Sequence, residues 1–97
     1  MVIITYKKIR EYALGNQLAK IPLLHWYNIV YKANWSCIAD LKKDFPSADY
    51  VGNDRYVFNI KGNKFRLIAI IHFDTRTLYV RFIGTHSEYD KIIAYEV

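Results

Sequence analysis

The feature that most constrains this 97-residue chain is a change of hydrophobic period near its middle. Ile9, Tyr12 and Ala13, then Leu23, Trp26, Tyr27, Val30 and Tyr31, recur at the three- and four-residue spacing of amphipathic helices. From Arg55 onward the chain becomes runs of Val, Ile, Phe and Tyr separated by turn residues, which is the composition of strands. Helices first and strands afterwards predict an α+β fold rather than alternating βαβ units.

The punctuation sets the expected elements. Ile3–Thr5 reads as a short edge strand, and Tyr6–Leu14 as a first helix stopped by Gly15-Asn16. Leu18–Ala33 reads as a second helix in which Pro22 is tolerable only in the first turn. Ser36 is placed to cap a brief helix through Asp40, Leu41 and Lys42, which Phe45-Pro46 ends, and Ser47–Asp54 is expected to be loop. Arg55–Ile60, Lys64–Phe73 and Thr77–Ile83 are then three antiparallel strands, with Gly62-Asn63 as a two-residue turn and Asp74–Arg76 as the next. Thr85-His86-Ser87-Glu88 has the capping-box form and starts a last short helix. The expected architecture is two N-terminal helices packed on a three- to four-stranded antiparallel sheet, with a short C-terminal helix.

Composition makes this one domain, 1–97. A chain of this length buries roughly 60 to 65% of its unfolded surface, and with 53% hydrophobic and 16% aromatic residues it needs no staple. Cys37 is alone, which excludes zinc ribbons and disulfide scaffolds and fits a reducing cytoplasm. No apolar run approaches a membrane span, and the first residues have the wrong order for a secretory signal. A cytoplasmic protein without membrane, cofactor or metal is expected. The net charge is +5, and between Arg55 and His86 there are six Lys or Arg against one acid, Asp74. That half of the chain is arranged to meet an anion, although a basic run can also serve solubility alone.

Strand pairing says where the cations gather. If Gly62 and Asn63 form the turn, Asn59 faces Arg66 and Lys61 faces Lys64, and opposed residues share a face. The following hairpin brings Arg66 near Ile83 or Thr85, on the side of Arg81 and Tyr79. On the last helix His86 and Tyr89 are three apart, so both look toward Lys64, Arg66 and Arg81. The helix N-terminus favours an anion and, with the arginines, disfavours imidazolium, which leaves a neutral His86 available as a base.

RNA cleavage without a metal needs a base for the 2′-hydroxyl, cations for the charged phosphorane and an acid for the leaving oxygen. His86, Arg66 with Arg81, and Tyr89 supply these types; Lys64, Asn59, Lys61 and Lys91 are candidates for binding RNA. Each has a plainer reading: His86 as a helix-start residue, Tyr89 and Arg81 as structural, and Asn59 as a turn-side hydrogen bonder. Arg66, flanked by Phe65 and Leu67 in a central strand, is the cation that most requires an anionic partner. His25 and His72 fall outside the cluster and read as structural, while Trp26 and Trp35 read as core rather than as base-stacking platforms.

Asp40-Leu41-Lys42, Phe45-Pro46-Ser47-Ala48-Asp49, the segment FNIKGNKFRL from Phe58 to Leu67 and the segment RFIGTHSEYDKI from Arg81 to Ile92 resemble toxins of the HigB type. The likeness spans roughly Trp35 to Ile92, with Ser87 and Ile93 as peripheral departures. It implies a RelE-like fold, metal-independent cleavage of mRNA on the ribosome, and a cognate HigA-like helix-turn-helix antitoxin. By motif it also implies functional roles for Asn59, Lys64, Arg66, Arg81, His86, Tyr89 and Lys91. Two other readings fit the order of elements: a non-catalytic RNA-binding domain, and a ParE-like toxin that acts on gyrase.

Overall fold

A computed structural model describes residues 1–97. The chain runs β1 (Val2–Ile3), α1 (Tyr6–Gly15), α2 (Gln17–Lys32), α3 (Ile38–Asp44), β2 (Asp49–Gly52), β3 (Arg55–Ile60), β4 (Phe65–His72), β5 (Thr77–Thr85) and α4 (His86–Tyr89). The α+β class and the helix-before-strand order are as expected. The sheet has five strands in the order β1-β5-β4-β3-β2 rather than three or four. It is mixed, because β1 pairs parallel to β5 while the other pairs are antiparallel. No helix is long and apolar enough to cross a membrane.

Three expectations fail locally for identifiable reasons. Ser47–Asp54 is not all loop, since Asp49–Gly52 forms an edge strand that pairs with β3. Its turn is made by Gly52, Asn53 and Asp54, all at positive φ, and glycine and Asx residues tolerate that conformation best. Four residues with no apolar alternation carry no strand signal of their own. Pro22 is the sixth residue of α2, past the first turn, so Leu18 loses the amide that its carbonyl would otherwise receive. Leu18 is exposed, and water can take that place. The third helix also starts later than Ser36 suggests: Cys37 is its cap residue, and the Asp40 carboxylate instead accepts from both the amide and hydroxyl of Ser36.

The core lies between the helices and one face of the sheet. Ile9 and Ala13 of α1, Ala19, Leu23, Trp26 and Val30 of α2, and Leu41 of α3 meet Phe58, Leu67, Ala69, Leu78 and Val80. An edge-on aromatic chain binds the layers: Trp26 to Phe58 at 5.4 Å, Phe58 to Phe45 at 5.1 Å, and Phe45 to Trp35 at 5.9 Å between ring centroids. Such contacts are each worth about 0.5–1.5 kcal/mol beyond burial. Both tryptophans are buried here, which confirms their reading as core.

On the sheet face away from the helices, strand alternation places Asn59, Arg66 and Tyr79. The C-terminal segment returns to the far end of the sheet, where Asn53 and Arg55 donate to the carbonyls of Tyr95 and Val97.

Gly84 is the tightest point near the cationic end of the sheet. A β-carbon there would lie 2.6 Å from the Phe82 ring and 3.2 Å from the Glu88 carboxylate. Gly84→Ala is therefore expected to cost about 1–3 kcal/mol through overpacking. Urea denaturation of the variant checks this, and an unchanged midpoint would show that Phe82 swings aside freely.

Candidate functional site: the cationic end of the sheet

The site is built where three local structures meet. Asn59 of β3 is the cross-strand partner of Arg66 in β4, as the turn at Gly62 predicts. The turn is closed by the Lys64 amide donating to the Lys61 carbonyl at 3.2 Å, with both Lys61 and Gly62 at positive φ. Arg66 is opposite Gly84, not Ile83 or Thr85. The displacement comes from a bulge: Ile68 pairs with Phe82 and Ala69 with Val80, which leaves Arg81 with no cross-strand partner. A bulge re-aims the side chain it carries and cannot be seen in an alternating sequence pattern.

From Thr85 the strand turns directly into α4. Thr85 Oγ1 accepts from the Glu88 amide at 3.2 Å, and Glu88 Oε1 accepts from the Thr85 amide at 2.8 Å, so the predicted capping box is complete. The His86 amide donates to the Lys64 carbonyl at 3.1 Å, which ties the helix start to the β3–β4 turn. Tyr89 then lies within reach of β4, with the Arg66 guanidinium 5.7 Å from its ring centroid, inside the range of a cation–π contact. Arg66 also donates weakly to the Asn63 carbonyl at 3.4 Å.

The six cations between Arg55 and His86 divide by what occupies them. Arg55 is held by the carbonyls of Val97 and Asn53, and Arg76 by Asn34 and the Phe73 carbonyl. Lys61, Lys64, Arg66 and Arg81 have no acidic partner among the ion pairs of the chain. Lys61, Lys64 and Arg66 at the β3–β4 turn, with Arg81 in the middle of β5, form a surface that an anion would neutralise.

The structure thus brings together Asn59, Lys64, Arg66, His86 and Tyr89. Arg81 is exposed in the bulge, three residues before Gly84. Lys91 lies beyond α4 and acts on Glu88 through its charge, while Lys61 stands at the outer corner of the turn. His72 is at the opposite end of β4, 4.0 Å from Asp54 and clear of the cluster. His25, read as structural, is not among the residues brought together. It is exposed on α2 and lines a shallow cleft of about 240 Å³ with Pro22, Trp26, Phe45, Asn59, Ile60 and Lys61, beside the same turn.

Asp90 is the residue that sequence reasoning missed. Its carboxylate is 3.4 Å from His86 Nε2, an ion pair whenever the imidazole is protonated. The signal was present as an i,i+4 pair on the last helix.

The open sheet faced by helices on one side, with a cation cluster at the exit of its last long strand, defines a small α+β protein of the RelE-like class. The sequence profile of the HigB toxin, described as the RelE-like toxic component of a toxin-antitoxin system, matches residues 19–92, and the chain belongs to this family. It is 34% identical over 97 residues to an mRNA interferase toxin HigB of Escherichia coli strain K12 and to an mRNA interferase HigB of Shigella flexneri, covering 97% of this chain and 92% of each relative. An mRNA interferase HigB of Escherichia coli O6:H1 is 32% identical over 71 residues, 71% of this chain and 69% of that one.

The capping box makes α4 sensitive to acid. The Thr85 amide, then the Thr85 hydroxyl, hold the Glu88 carboxyl below its ordinary value of 4.5. A depressed folded value means that this support is fully present above pH 4.5 and is lost as the pH falls through the lower, folded value. By NMR the Thr85 amide shift is expected to titrate with a midpoint below 4.5 and to stay flat in Glu88→Gln. A midpoint at or above 4.5 would show the box unformed in solution.

Proposed function

We propose that this chain is a ribosome-dependent mRNA endonuclease, the toxin of a type II toxin-antitoxin pair, which cuts by general acid–base catalysis with its own side chains. The observation that carries the reading is Arg66: a guanidinium at the end of the central strand, without an acidic partner, seated against Tyr89 and one turn from His86. The names of the relatives as mRNA interferases point to the same substrate.

In this mechanism His86 removes the 2′-proton and the 2′-oxygen attacks the adjacent phosphorus. Arg66 and Arg81 bear the charge of the phosphorane, and Lys64 holds a flanking phosphate, with Asn59, Lys61 and Lys91 along the RNA path. The P–O5′ bond breaks as Tyr89 protonates or orients the leaving oxygen, giving a 2′,3′-cyclic phosphate and a 5′-hydroxyl. Asp90 orients the imidazole through its 3.4 Å contact. With so few groups to read bases, positioning falls to the ribosome, which presents the message. A HigA-like helix-turn-helix antitoxin is the partner that restrains the activity.

Primer extension in a translating cell-free system tests this. His86→Ala is expected to lose about 10²–10⁴-fold in cutting, as for loss of a general base, and Arg66→Ala about 10²–10³-fold, as for loss of one charge-stabilising donor. Cuts should be confined to translated message and vanish without ribosomes. Cuts that survive both substitutions would place the site elsewhere, and arrested translation without new ends would favour a non-catalytic RNA binder. Inhibition of DNA supercoiling would favour the gyrase reading.

A further inference from the structure

The helix α2 has two apolar faces, and only one of them is used. Ala19, Leu23, Trp26 and Val30 enter the core. Leu18, Ile21, Leu24 and Tyr31 lie on the solvent side, with Leu18 58% and Ile21 76% exposed. Leu14, at the end of α1, is 74% exposed beside them. Between the two helices Tyr6, Ile9, Ala13, Leu14 and Leu24 line an apolar groove of about 180 Å³, with Arg10 and Lys20 at its rim. Aliphatic side chains so exposed and so clustered on a small protein mark an interaction surface rather than scattered surface residues.

The charge around the groove selects the occupant. The helices α1 and α2 carry Lys7, Lys8, Arg10, Lys20 and Lys32 against one acid, Glu11, which Lys7 already pairs at 3.7 Å. A second copy of the chain would set this basic rim against itself, which like-charge repulsion disfavours. RNA would meet the lysines, but the groove is walled mainly by Ile9, Ala13, Leu14 and Leu24, and its one aromatic ring, Tyr6, is already packed against Tyr27 at 4.8 Å. A concave seam between two helices fits the ridge of a third, as amphipathic helices lie in apolar grooves. We infer that the α1–α2 groove is the docking site of the antitoxin, entered by an amphipathic helix with an apolar face and acidic flanks. This rests on the antitoxin partnership proposed above and adds where and through what chemistry it is made.

The groove is on the solvent side of the helical layer, and the Arg66 cluster is on the sheet face away from that layer. The two can therefore be tested apart. Leu14→Gln/Leu24→Glu removes two exposed apolar side chains that line the groove, and Lys20→Glu reverses one rim charge. None of these residues belongs to the proposed cutting machinery. With the cognate antitoxin as probe, fluorescence anisotropy is expected to show binding to the double variant at least about 100-fold weaker, as for loss of two interface anchors. Lys20→Glu should bind more weakly at low salt and approach wild type as salt rises. Both variants should cut translated mRNA as wild type does, and growth arrest by the double variant should escape rescue by the antitoxin.

Antitoxin affinity unchanged in the double variant would overturn the inference. So would loss of cutting with affinity intact, which would assign the groove to the ribosome. Binding of wild type, but not of the variant, to phosphatidylglycerol vesicles would assign it to a membrane surface, and a wild-type dimer dissolved by the variant would assign it to a second copy. Wild type that binds antitoxin through the groove yet cuts no message would refute the nuclease reading and leave this one standing.

Discussion

Burial of the central strand on both sides is the constraint on which the rest of this structure depends. Leu67, Ile68 and Ala69 are each fully buried, with Leu67 and Ala69 facing the helices and Ile68 the other way. A strand packed on two faces and paired along both edges has little freedom of register, because a slip of one residue would exchange its two faces. Arg66 enters this rigid frame one residue before the buried run. Its backbone is fixed by packing, while its guanidinium reaches past the strand end to Tyr89. A cation on a loop would spread over many positions; one anchored in β4 is held where it can be useful to a developing charge.

The adjoining strand converts that fixed point into a site. The bulge at Arg81 adds one residue to β5 and sets Gly84 against Arg66, and the lack of a side chain at Gly84 gives Phe82 and Glu88 their places. The Thr85–Glu88 box then stops the strand and begins the helix within a single residue. His86 and Tyr89 are therefore placed by hydrogen bonds to the same few residues that place Arg66, rather than by a separate scaffold. The cation cluster and the titratable group belong to one local unit, so disturbing the cap disturbs both.

Much of this was legible before any coordinates. The Gly62 turn gave the Asn59–Arg66 pairing because hairpin register follows from turn length, and Thr85-x-x-Glu88 announced its cap because that motif carries its own hydrogen bonds. What was hidden depended on context. The β2 strand has no alternation and forms because β3 offers it an edge. The Arg81 bulge leaves no trace in the pattern, so the register of Arg66 came out one residue away from its partner. The parallel pairing of β1 is a long-range event that a two-residue segment cannot signal. That His25 shares a cleft with Asn59 and Lys61 follows from how α2 packs near the β3–β4 turn, which no local pattern signals. The Asp90 spacing from His86 is visible in the sequence, but an i,i+4 acid beside so many cations does not by itself say which of them it meets.

The helical layer is also the back wall of the cationic end, which bears on how a partner at one surface would act on the other. Tyr12 of α1 meets the Phe65 ring edge-on at 6.1 Å, and burial, then the charge of Glu88, push its hydroxyl above the ordinary phenol value. Lys8 of the same helix reaches the Arg81 carbonyl at 3.5 Å. Thus α1 touches the frame of the site at two points while Ile9 and Ala13 lock it into the core. A helix seated in the outer groove meets side chains that already point away from that core, so it need not move α1 to bind. Neutralisation by added bulk asks nothing of these inner contacts. Neutralisation by distortion would require α1 to tilt and break the packing that holds the fold together, and the first route costs the protein far less.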